Sequence, residues 1–123
     1  MMRTVKIPIS AIVGGGICVS ALDGQKVYER VRKGVAEGDK VVLSFSGITR
    51  MTTAFLNAAV GQLYGEFSEE TIRERLGAPV DFELWHLNRL KMVVDRAKDY
   101  FRDAERSERI ISINMGNEDD ENI

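Results

Sequence analysis

The chain has 123 residues, 44% of them apolar and 29% charged, with a formal net charge of −2. That length fits one domain with a single core, and the composition excludes a disordered or low-complexity chain. The basic residues are scattered, so no nucleic-acid footprint is expected.

The longest uncharged stretches, Ile7–Leu22 and Met51–Gly65, are too short to span a bilayer, so no membrane association is expected. Arg3 and Lys6 precede the first stretch as they would in a secretory signal, but Gly14–Gly16 break its apolar run; the expected location is cytoplasmic. Cys18 is the only cysteine, which agrees with a reducing compartment. Between Ile17 and Val19 it reads as a buried strand thiol.

Thr4–Ile9 alternates, placing Val5, Ile7 and Ile9 on one face of a strand, and Pro8 marks an edge or a strand end. Gly14–Gly16 are expected to turn the chain into a hairpin, with Ile17–Val19 pairing back. A phosphate loop would need a lysine and a hydroxyl opening a helix, and strand-like residues follow instead. Ser20 with Asp23 opens the first helix, Val27, Val31 and Val35 form its apolar stripe, and Gly38 ends it.

Lys40–Phe45 is apolar and rich in β-branched residues, the pattern of a central strand. Thr52 or Thr53 caps a helix running to about Tyr64. From Val41 to Gly65 the only charge is Arg50, so this helix must lie against the sheet, a partner or both. Ser68 caps a further helix ending near Gly77, with Phe67 and Ile72 as a staple. Asp81 is expected to cap a last helix over Phe82–Glu105. Ile110–Met115 reads as a short strand or tail, ahead of an acidic, disordered end at Glu118–Glu121. The order β, β, α, β, α, α, α predicts an α/β domain, a small mixed sheet with helices packed mainly on one face.

The stretch Val41–Tyr64, with Ala54-Phe-Leu-Asn-Ala-Ala59 and Gly61-Gln-Leu-Tyr64 at its heart, resembles the signature of STAS-like domains, a bacterial family of unknown function. The likeness extends to Asp23–Tyr28, Phe67–Glu70 and Ala97–Phe101, so the STAS-like domain is assigned to residues 1–109 and the tail to 110–123. That family is similar to the STAS domains of anti-sigma-factor antagonists. This resemblance implies a protein partner, of the histidine-kinase-like ATPase class, docked at a helix start after a central strand and controlled there by serine phosphorylation. The antagonist motif Asp-Ser-Ser-Gly falls on Thr52, Thr53, Ala54 and Phe55, so the modified serine is replaced by an alanine.

The expected function is therefore a non-catalytic interaction module. Its partner-binding residues would be Ser46, Gly47, Thr49, Arg50, Thr52, Thr53, Phe55 and Asn57. Two alternatives share the same helix start: a phosphorylation-controlled switch with Thr53 or Thr52 as the acceptor, and a nucleotide or anion site. Thr52 and Thr53 also have a purely capping role open to them, and Asn57 that of a buried amide. His86 is the only histidine and no nucleophile motif appears, so neither an enzyme, a metal nor a cofactor is expected.

Overall fold

The computed structural model describes residues 2–122, with side chains described as far as Ala104. Strand β1 (Thr4–Pro8) is followed by a short helix α1 (Ile9–Val13), β2 (Ile17–Cys18) and helix α2 (Ala21–Ala36). Strands β3 (Lys40–Ser44) and β4 (Arg50–Met51) come next. A helical run then comprises α3 (Thr53–Leu56), a π-helical turn (Asn57–Gly61) and α4 (Leu63–Glu66), before α5 (Glu69–Arg75) and α6 (Leu84–Asn122). The protein is an α/β domain.

β3 is the centre of the sheet. β1 pairs with it in parallel, Thr4 opposite Lys40 through Pro8 opposite Ser44. On its other side the segment 76–80 runs parallel, with Gly77 N–H donating to Val41 O and Val80 N–H to Leu43 O. The alternating residues Val41, Leu43 and Phe45, with Ile7 and Ile9, are buried, and α2 lays Val27, Val31 and Val35 over them. Thr4, Lys6 and Lys40, on the opposite pleats, are exposed. A period of two on the strands and of about four on α2 thus meet in one core.

The expected caps form where their sequence signals stand. Ser20 Oγ accepts from Asp23 N–H, and Ser68 Oγ from Thr71 N–H. Gly38, with φ at 84°, turns the chain out of α2.

Three expectations are corrected. The hairpin at Gly14–Gly16 does not form: residues 9–13 make α1, Gly14 (φ 94°) closes it by donating to Ser10 O, and β2 pairs in parallel with β4. β1 pairs with β3 and β2 with β4, each in parallel across a long crossover, so the two strands that the turn was expected to join are not partners. The last helix begins at Leu84 rather than Phe82. Asp81 sits at φ 55°, and its carboxylate accepts from Ser44 Oγ (2.9 Å) and meets Lys6 Nζ (3.4 Å) instead of capping. Glu83 N–H is taken by His86 Nδ1. Finally, α6 continues past Glu105 through Ile110–Met115 and Glu118–Glu121 to Asn122. Neither Gly nor Pro interrupts residues 84–115, and Ile110/Ile113 and Ile111/Met115 also fit helical spacing. The side chains on either side of the boundary drawn after Arg109 lie outside the described residues.

Candidate docking surface

The segment from β3 to α3 is held against β2 by main-chain contacts. After Phe45, Gly47 (φ 77°) lets the chain turn, and Ile48 N–H returns to Phe45 O. Gly16 lies on that turn so closely that a Cβ there would stand 2.3 Å from Gly47 O. A side chain is excluded at position 16, and this rather than a hairpin is what the position requires. Gly16 O accepts from Thr49 N–H and Arg50 N–H, and Cys18 O accepts from Thr52 N–H, which sets the β2–β4 register.

Thr52 is the pin of this arrangement. Its hydroxyl donates to Val19 O at 2.7 Å and accepts from Phe55 N–H at 3.2 Å. One side chain thereby ties β2 to the start of α3 and satisfies an orphan amide of the helix.

Beneath the turn lies His86, 2% exposed. Its Nδ1 accepts from Glu83 N–H at 2.9 Å, so Nε2 carries the hydrogen and donates to Ile48 O at 2.9 Å. The ring stacks on Phe45 at 5.1 Å. Both nitrogens are spent on structure. Arg89 adds a second tie from α6, donating from Nη1 to Met51 O at 2.6 Å. Cys18 is fully buried, and burial, with a smaller contribution from Asp23, pushes its thiol up to about 11. No cluster of His, Cys, Asp and Glu suited to a metal occurs among the described residues. Nor is any helix among them long and apolar enough to cross a membrane.

Of the eight residues expected at the surface, Ser46, Gly47, Thr49, Arg50 and Asn57 are exposed, and Thr52 and Thr53 are half-buried. Phe55 is not on the surface: its exposure is 0%. The third residue of α3 points into the core, with Leu56, Ala59, Val60 and Leu63 behind it. These side chains pack on α2, so the missing charge between Val41 and Gly65 is explained by the molecule's own core. Gly24 of α2 approaches so near that a Cβ there would lie 2.4 Å from Phe55 O. The exposed remainder of α3 is Ala54, with Asn57 following at the start of the π turn.

Residues that the sequence reading passed over complete the surface. Ile17 is 60% exposed and Leu22 73%, and Val19 is exposed between them. The signal was present: if Cys18 of a strand points inward, Ile17 and Val19 must point away. These three apolar side chains flank the Thr52 tie, and Arg50, exposed and directly opposite Ile17 in register, has no ion-pair partner among the described residues.

Residues 23–78 match the family model described as a STAS-like domain of unknown function (DUF4325). The matched span holds α2 to α5, including the β3–β4–α3 segment, whereas β1, α1, β2 and α6 lie outside it. No curated protein and no solved structure matches the chain.

Proposed function

With residues 23–78 matching the model of a STAS-like domain of unknown function, we propose that the chain is a non-catalytic docking module. It recognises a protein partner at the start of α3. The surface comprises the Ser46–Arg50 connection, Thr53, Ala54 and Asn57, together with the apolar flank Ile17, Val19 and Leu22.

One observation carries this reading. Three large apolar side chains stand in water beside a turn that four independent ties hold rigid: the Gly16 main chain, Thr52, His86 and Arg89. Apolar groups exposed singly need no explanation, but three within the short run from Ile17 to Leu22 do, and a frame already held in place lowers the entropic cost of association. A phosphorylation switch is less well supported. The Thr52 hydroxyl is engaged both as donor and as acceptor, Ala54 offers no acceptor oxygen, and Thr53, the other candidate acceptor, is half-buried. Anion binding is weaker still, because α3 has only four residues before the π turn and its amide dipoles sum over a short length.

The test compares capture from the native host by the parent chain, Leu22→Glu, Ala54→Arg and, as a distant control, Lys91→Glu. All three substituted positions are exposed, so stability should change by no more than about 0.5 kcal/mol in each variant. Loss of the captured protein with the first two variants alone is expected. Equal capture by all four would rule this surface out.

A further inference from the structure

The two outer strands of the molecule differ in how their free edges are treated. Along β1, Arg3 O accepts from Lys40 N–H, so the odd-numbered residues face β3 and the even-numbered ones face outward. Those outward residues are Thr4, Lys6 and Pro8. A lysine and a proline are the usual protection of an edge, one through charge and solvation, the other through its missing N–H.

β2 has neither. Gly16 O and Cys18 O accept from β4, so the parallel ladder uses the even positions and turns Ile17 N–H and C=O the other way, along with Val19 N–H. None of these three groups has a backbone partner among the described residues. The side chains beside them are the exposed Ile17 and Val19, and no charged residue occurs between Ile7 and Leu22. Short as it is, an edge with no charge or proline and with apolar side chains is a template for another strand. Arg50, without an ion-pair partner among the described residues and on the same face as Ile17, adds a charge requirement. An added strand would lie two strand spacings from β4, about 10 Å, which an arginine and a glutamate side chain span together.

We propose that the free edge of β2 takes up an extended, apolar protein segment carrying a carboxylate. The segment pairs with the main chain of Ile17 and Val19, and its acid faces Arg50. This rests on the docking reading above and specifies the partner: a strand rather than a helix, acidic rather than basic.

The probes are the blocked pentapeptide Val-Glu-Val-Glu-Val, its Val-Lys-Val-Lys-Val counterpart, and the first peptide with alternate amides N-methylated. Each is titrated to millimolar concentration into the ¹⁵N-labelled full chain. The acidic peptide should shift the Ile17 and Val19 amides and slow their exchange by about tenfold. The basic and N-methylated peptides should do neither. Ile17→Pro, which removes an N–H that the β2–β4 ladder does not use, should abolish the effect; should that variant fail to fold, the N-methylated peptide makes the same test.

Shifts that survive N-methylation, that map away from β2, or that are absent at millimolar peptide overturn the proposal. So does protection of Ile17 that grows with protein concentration alone, which would assign the edge to a second copy of this chain. Capture lost in Leu22→Glu while the peptide leaves Ile17 untouched overturns strand addition and leaves docking standing. Peptide protection of Ile17 with capture unaffected by Leu22→Glu does the reverse.

Discussion

Thr52 shows how much one hydroxyl can decide. The sequence offered Thr52 and Thr53 as equal candidates for a cap, and tertiary contact separates them: only Thr52 reaches both Val19 O and Phe55 N–H. Thr52→Ala should therefore cost about 1–2 kcal/mol in urea unfolding, one cap and one cross-strand bond, whereas Thr52→Ser should retain most of it. Cys18 allows a second measurement. Its thiol rises from 9.0 to about 11 because the thiolate would be desolvated, so alkylation of the native chain at mildly alkaline pH should run about a hundredfold slower than in the unfolded chain. The linkage has a definite sign. Protonated Cys18 favours the folded state, so its contribution is complete below pH 9.0 and is lost as pH rises towards about 11. A urea midpoint that is flat across that window in the parent, or that falls equally in Cys18→Ala, would contradict it. The buried thiol was legible from Ile17-Cys18-Val19, whereas the environment of His86 was not, since Glu83 N–H and Ile48 O converge on it from different segments.

Among the elements, α2 and the α3–π–α4 run form the closest pair. Gly24 allows it: a Cβ at that position would meet Phe55 O at 2.4 Å and Ala58 Cβ at 2.7 Å. Gly24→Ala raises intrinsic helix propensity, yet it should destabilise the protein by about 1–3 kcal/mol, because the obstructing atom is main chain and cannot rotate away. Calorimetry that finds the variant as stable as the parent would refute this packing. Tyr28 and Arg32 of α2 bond Glu66 at the far end of the pair, and they hold its carboxyl below the usual range, Tyr28 contributing most. The stripes of these helices were readable from Val27, Val31 and Val35, and from the charge-free stretch after Arg50. The π turn was not readable. Within it Gly61 lies against Val93 and Ala97 of α6, a helix distant in sequence.

At the scale of the molecule, β3 is bonded on both sides, whereas among the described residues β2 is bonded on one. Hydrogen exchange should follow that order: the amides of Val41–Phe45 slowest, those of Cys18 and Thr52 intermediate, and that of Ile17 near the rate of free chain. An Ile17 amide as protected as β3 would mean its edge is already occupied. The sequence by itself determined the α/β class, the caps at Ser20 and Ser68, the core faces of β1, α2 and β3, and the segment around Thr52, because each depends on a local period or a residue's own backbone preference. Only the tertiary structure decided which strands pair, that Phe55 is core while Ile17, Val19 and Leu22 are surface, and that Gly16 serves a close approach rather than a hairpin. Parallel pairing joins residues more than thirty positions apart, and no local pattern encodes which distant edge a strand will find. The segment around α3 stood out in the sequence, but which of its residues are exposed, and the edge of β2 beside it, became visible only once Cys18 and Met51 were brought side by side.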